Sequence, residues 1–581
     1  MKLRYVLISR PAFACALVIA CAPGGAAAAG AYDVLISGGT IYDGSGAVPY
    51  VGDVAILRDR IAYVGPHAPG EARERFDARG MAVGPGFVNM LAHPEESLIA
   101  DGRALSDLRQ GVTLEVIGED SMGPLSPAMK RHALEREGDI KYPIDWTTLG
   151  DYLQKLERKG IAPNVASYVG AGTVRVNVLG EKDVAPTALQ LKQMQALVRQ
   201  AMEQGAVGVT TALIYAPNTY ARTPELVALA REAARCGGLY SAHMRSEGDR
   251  LLEAVQETID ISKASGAPAE IYHLKVAGQR NWGKIDALIE KIEAARAGGA
   301  RITADMYVYT AGATGFDAAM PPWVQDGGLE AWIARLKDPA IRTRVVQEMR
   351  DPAPPWENLF GAAGARGTLL LAFKNPALKP LTGKTLAEVA QMRGVSPEDA
   401  VIDLVIEDGT RVGVGYFLMS EDNVRREVAL PWVSFDSDAD APAPEGIFLK
   451  SSRHPRTYGN FVRVLARYVR DEQVITLQEA VRKLSAFPAA TLSLADRGTL
   501  RAGSFADVVV FDPKTVQDHA TYENPHQLAT GVDEVWVNGV RALRHGEATG
   551  AASGRAVRGR AWAGAAGGGC RRSAADWSWS S

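Results

Sequence analysis

Gly238-Leu239-Tyr240-Ser241-Ala242-His243-Met244-Arg245 and Ile271-Tyr272-His273-Leu274-Lys275 are two short apolar runs that each lead into a histidine, with a helical stretch between them. A strand, a helix and a second strand in that order indicate a parallel sheet. The alternation extends in both directions. Candidate strands fall at 81–91, 112–118, 164–169, 206–212, 238–242, 269–274, 301–307 and 430–435. Eight strands separated by helices predict a closed TIM-type (β/α)8 barrel over 86–485, with an open doubly wound sheet as the alternative. Segment 315–430 is longer than a crossover helix requires and reads as an insertion over one barrel mouth.

Both chain ends are β-rich. Tyr32-Asp33-Val34-Leu35-Ile36-Ser37 and Asp53-Val54-Ala55-Ile56-Leu57 are bounded by turn residues, as are Val508-Val509-Val510-Phe511 and Val535-Trp536-Val537. Segments 31–85 and 486–550 therefore predict one small β-sandwich made from both termini. Residues 551–581, rich in Gly, Ala, Arg and Ser, predict a disordered tail.

The leader has its own signature. Lys2, Arg4 and Arg10 precede a short apolar run at 13–20, and Ala27-Ala28-Ala29 offers a small-residue cleavage site. Residues 1–29 thus predict a signal peptide and an exported, periplasmic or secreted protein. Val18-Ile19-Ala20-Cys21 also resembles a lipobox, which makes a lipid anchor at Cys21 the alternative form. No stretch is long and apolar enough to predict a membrane span. A net charge of -3 provides no basic field for nucleic acid. Cys15 and Cys21 lie in the leader and Cys570 in the tail, so Cys236 stands alone in the body and no intrachain bridge is expected.

In a barrel of this type the chemistry collects at the C-terminal strand ends. Those ends read His93, Glu119-Asp120, Tyr215, His243, His273, Tyr307 with Tyr309, and Asp436. Two imidazoles and a carboxylate hold Zn²⁺ and leave a position for water. His243, His273 and one of Glu119 or Asp120 are that set, and the role of His93 stays open. Asp436 can take a proton from water and pass it to a leaving amine. Lys275 and Arg456 suit an anionic substrate group, and Tyr215 and Tyr307 either pack or line the substrate. The Pro and Arg neighbours of His454 read as a positioning loop. Gly170-Ala171-Gly172 and Gly312-Ala313-Thr314-Gly315 lack the spacing of a dinucleotide fingerprint.

These residues resemble a known group. Pro85-Gly86-Phe87-Val88 is similar to the barrel entry of the amidohydrolase superfamily. The His243 and His273 stretches, Asp305-Met306-Tyr307-Val308-Tyr309, His454-Pro455-Arg456 and Gly498-Thr499-Leu500-Arg501-Ala502-Gly503 resemble the N-acyl-D-amino-acid deacylase (D-aminoacylase) family over about 32–545. The resemblance implies a barrel with a two-ended β-sandwich, one tightly bound zinc, and removal of the acyl group from a small N-acylated D-amino acid. It gives His243 and His273 ligand roles and Asp436 the acid–base role. Two departures stand out. Leu91-Ala92-His93 lacks the first His of the family's His-x-His pair. Gly118-Glu119-Asp120 stands where the family commonly has Gly-Asn-Cys, and a family branch with Gly-Glu there favours Glu119 as the ligand. The alternatives are a cyclic amide or imide hydrolase of the same superfamily, and a degenerate amidohydrolase that acts as a binding protein.

Overall fold

The structure is a computed structural model that describes residues 32–564 and 569–570. The leader at 1–29 and residues 571–581 lie outside the described residues.

Seven strands and one bridging segment close the barrel. Strand one is Phe87–Ala92, strand two Val112–Ile117 and strand three Asn164–Ser167, paired in parallel in that order. The third strand continues as Val169–Gly170, which pairs with strand four, Gly208–Ala212. Strand five (Leu239–His243), strand six (Ala269–Ile271) and strand seven (Ile302–Ala304) follow in parallel register. Closure falls to the eighth segment. Its Val433 bridges Ala304, Ser434 N donates to Ala304 O, and on the other side Met90 N donates to Phe435 O. Only an isolated bridge forms where 430–435 is expected to be a full strand.

The strands are buried along their whole length, so they lack the alternation of a half-exposed strand, and their polar residues, such as Thr210, Thr211 and Ser241, are buried with the rest. The helices wrap outside. Leu251–Ser265 buries Leu251, Val255, Thr258, Ile259 and Ser262, a three-to-four spacing that keeps one face on the barrel. Gly266 ends it in the left-handed region at φ 80°.

Strands from both ends form one nine-stranded sheet in which Val508–Phe511 pairs antiparallel with Ala82–Pro85. Val34, Ile36, Val54 and Ile56 from the first end meet Val508, Val510 and Trp536 from the last in one core. The insertion has a core of its own around Phe316, Leu370, Leu404 and Tyr416. It opens with Ala311–Gly315, which pairs antiparallel with Gly413–Phe417.

Two expectations are corrected. Residues 551–564 are not disordered: Gly554 N donates to Ile161 O, Val557 N donates to Val165 O, and Ala556, Val557 and Ala561 are buried. The small residues that suggest low complexity are what let this segment lie close. A Cβ at Gly554 would stand 1.9 Å from Pro163 O. A disulfide also forms, between Cys236 at the end of the helix Thr223–Arg235 and Cys570. Tail and helix are 334 residues apart in sequence, so spacing gave no hint of the pairing.

Candidate metal centre and active site

Strand two leaves the barrel at Gly118, where a side chain would meet Tyr272 Oη at 2.4 Å. Glu119 then adopts φ 63°, a left-handed conformation uncommon outside glycine. This turn directs its carboxylate across the barrel mouth. Glu119 Oε1 lies 2.7 Å from His243 Nδ1 and 3.1 Å from His273 Nε2. The two imidazoles come from adjacent strand ends, with ring centroids 4.5 Å apart. His273 is itself at φ 36°, held by a 2.6 Å hydrogen bond from its N–H to Asp305 Oδ1.

Glu119, His243 and His273 each offer one donor atom, and these atoms all lie within 4.8 Å of one another. Asp120 lines the same cavity but turns toward Asn218. His93 Nε2 is 3.1 Å from Asp438 Oδ1 and 3.8 Å from Glu119 Oε2, so strand one also reaches the site.

The charges interlock. Burial opposes the Glu119 charge, and the hydrogen bonds from His243 and His273 outweigh it, holding the carboxyl well below its usual range. Burial likewise opposes the Glu247 charge, and Lys275, His243 and His273 reverse it. Lys275 Nζ sits 2.7 Å from both Glu247 Oε1 and His273 Nδ1. Glu247 Oε1 also lies 2.9 Å from His273 Nδ1, so Lys275, Glu247 and His273 form one cluster beside the cavity. Arg456 Nη1 pairs with Asp438 Oδ2 at 2.9 Å, and its guanidinium lies 4.3 Å from the Tyr307 ring centroid. His454 Nδ1 accepts from Arg456 N at 3.0 Å, which fits the positioning reading of that loop. Tyr215 meets the His243 ring edge-on at 5.2 Å.

Asp436 takes a different position. It is fully buried and does not line the cavity. Neither of its oxygens has a hydrogen-bond donor in good geometry. Burial, and then the neighbouring Asp305 carboxyl, push it well above its usual range.

The other predicted residues line one cavity of about 440 Å³. Sequence reasoning missed Glu247, Asp438, Asp305 and Arg411. The first two sit four residues after His243 and two after Asp436, so strand-end spacing could have flagged them. Arg411 belongs to the insertion, and nothing in its local sequence points to the barrel mouth.

A barrel that presents imidazole and carboxylate donors together at its C-terminal strand ends is the architecture of a metal-dependent hydrolase. The chain belongs to the amidohydrolase family, whose profile matches residues 74–542. Within that family it is 33% identical to the D-aminoacylase of Alcaligenes xylosoxydans xylosoxydans, over 90% of this chain and 97% of the relative. A D-aminoacylase crystal structure superposes with a TM-score of 0.74 at 32% identity, covering 90% of this chain and 99% of the other. The N-acyl-D-glutamate deacylase of Bordetella bronchiseptica, solved with zinc and a phosphonate inhibitor, superposes with a TM-score of 0.74 at 29% identity, covering 91% and 100%. The resemblance read from the strand-end residues is borne out.

Proposed function

We propose that this protein is a zinc-dependent deacylase of N-acyl-D-amino acids. The observation that carries the reading is the convergence of Glu119 Oε1 on both His243 and His273 inside a cavity that also presents arginine and lysine. The donor set fits a resident zinc: one carboxylate oxygen and two imidazoles are the ligand types it takes in hydrolases. Glu119, His243 and His273 would hold it. Bound zinc lowers the pKa of water and polarises an amide carbonyl. The zinc-bound Bordetella bronchiseptica deacylase supports the choice of metal.

The chain's own residues supply the rest. Asp305 accepts from the His273 backbone N–H, and Glu247 Oε1, 2.9 Å from Nδ1 and paired with Lys275, can accept the Nδ1 proton and leave Nε2 free to bind metal. Arg456, backed by Asp438 and His454, presents a planar cation for the substrate carboxylate. Tyr215 and Tyr307 wall the substrate on the strand-four and strand-seven sides. Asp436 is the carboxyl assigned to carry a proton between the water and the leaving nitrogen; burial and Asp305 raise its affinity for that proton, and the charge of a bound metal would oppose them and favour the base. A binding protein has no use for that group.

Export of the mature chain belongs to the same reading. The Cys236–Cys570 disulfide supports it, because such bridges persist in oxidising compartments.

Metal analysis of the purified protein, with turnover of N-acetyl-D- and N-acetyl-L-amino acids, tests the function. About one tight zinc per chain and D-selective release of the free amino acid are expected. Metal-free protein with full activity would refute the reading.

A further inference from the structure

Three lysine and arginine side chains line the cavity: Lys275, Arg456 and Arg411. They differ in what is left of them for a ligand. The Lys275 side chain is 6% exposed and is taken up by Glu247, and that of Arg456 is 3% exposed and paired with Asp438. Arg411 is 49% exposed. Of the three it has the most exposed side chain, and it also lines a second cavity with Arg136 and Glu181; Arg456, although buried, keeps Nε and Nη1 without a hydrogen-bond partner for a ligand.

Its placement is specific. Arg411 enters from the insertion, just before the strand Gly413–Phe417. Its backbone is fixed by Phe316 N, which donates to Arg411 O at 2.7 Å. Nε pairs with Asp317 Oδ1 at 3.0 Å, and Nη2 donates to Thr314 Oγ1. Gly315 makes room for this arrangement, because a Cβ there would stand 2.3 Å from Arg411 Nε and 2.6 Å from Asp317 Oδ1. A guanidinium has five N–H donors. The contacts with Asp317 and Thr314 leave Nη1 and one hydrogen of Nη2, the edge that grips a carboxylate through two parallel bonds. The guanidinium lies 5.0 Å from the Tyr215 ring, and the same ring lies 5.2 Å from that of His243. Tyr215 is thus a common neighbour of Arg411 and the candidate ligand His243.

We propose that Arg411 is a specificity residue that binds a second carboxylate on the substrate, so that the preferred substrates are dianionic N-acyl amino acids. This rests on the deacylase reading above, with Arg456 taking the α-carboxylate. The second carboxylate has two chemical sources: the side chain of an acidic D-amino acid, or a dicarboxylic acyl group. Either arm carries its carboxylate on the order of 5 Å from the scissile amide, and Arg411 and the candidate ligands line the one cavity.

The test compares the zinc-loaded wild type, Arg411→Met and Arg411→Lys. Substrates come in matched pairs: N-acetyl-D-glutamate with N-acetyl-D-glutamine for the side chain, and N-succinyl-D-leucine with N-butanoyl-D-leucine for the acyl group. The wild type should prefer the dianion in one pair by roughly tenfold or more in kcat/KM, the scale of a charge-assisted bidentate contact. The pair that shows the preference identifies the source. Arg411→Met should bring that ratio to within about threefold of one, chiefly through KM, and Arg411→Lys should fall between, keeping the charge but losing the fork. A wild type indifferent in both pairs, or an Arg411→Met enzyme that keeps the preference, overturns the assignment. Calorimetric titration with the same four compounds reads the preference without turnover. A dianion preference in binding that Arg411→Met abolishes, with no hydrolysis of any compound, would uphold Arg411 and strike the deacylase reading instead.

Discussion

Glu119 Oε1 stands 2.7 Å from His243 Nδ1, although 123 residues lie between them and they leave the barrel on strands two and five. The left-handed backbone at Glu119 makes this contact possible. It brings one carboxylate oxygen within 4.8 Å of two imidazole nitrogens, the donor set proposed above to hold zinc.

Removing either partner should therefore release metal. His243→Ala and Glu119→Gln are expected to lower zinc affinity by roughly tenfold or more, with activity falling in parallel. Asp120→Asn, on the neighbouring carboxylate, should keep its zinc. Metal content after dialysis against a weak chelator checks this. Retention of zinc by Glu119→Gln together with loss from Asp120→Asn would exchange the two roles.

Asp436→Asn should separate chemistry from binding. Asparagine keeps the shape but cannot carry a proton. Turnover should fall by about 10²- to 10⁴-fold while zinc stays bound. Single-turnover rates and metal content on one preparation decide it. Activity within a few-fold of wild type would remove Asp436 from the mechanism, and loss of zinc would make it a ligand.

Glu357 ties the insertion to the turn after strand five. It accepts from Ser246 Oγ at 2.6 Å and from Glu247 N at 3.1 Å. Burial, with Glu247 adding to it, pushes its carboxyl up to about 7. Between its ordinary value near 4.5 and about 7, the folded protein holds a proton that the unfolded chain has lost. The stability that this group contributes is thus complete below about 4.5 and falls as pH rises toward 7. Glu357→Gln keeps an acceptor for Glu247 N, can donate its amide N–H to Ser246 Oγ as the protonated acid would donate its O–H, and does not titrate. It should match wild type near pH 4.5 and exceed it at pH 8 by up to about 3 kcal/mol. Thermal midpoints of both proteins at the two pH values are the measurement. A difference that does not change with pH would rule the effect out.

The Cys236–Cys570 bridge should matter to the C-terminal segment. Reductant is expected to lower the thermal midpoint of wild type by a few degrees, consistent with a contribution of about 2–4 kcal/mol, and to leave Cys570→Ser unchanged. Intact-mass analysis of exported protein should show the bridge, and an N-terminus near Gly30 or a lipidated Cys21. A cytoplasmic chain that starts at Met1 with Cys236 and Cys570 both as free thiols would contradict both expectations.

The sequence by itself determined the barrel and most of its chemical equipment. Strands buried on both faces leave short, mostly apolar runs between helical stretches, and a parallel barrel puts function at the strand ends, so His243, His273, Asp436 and the Glu119-Asp120 pair could be found by reading where those runs stop. Tertiary structure alone decided what depends on directions and long-range approach. It turned Glu119 rather than Asp120 onto the histidines, through a backbone conformation that no residue type announces. It joined Lys275 to Glu247 and His273 at the edge of the cavity. It also brought Arg411 from the insertion into the cavity and Cys570 onto Cys236. Strand periodicity is a local property and survives in one dimension. The pairing of charges and thiols across hundreds of residues is set by packing, and the sequence around each partner carries no mark of the other.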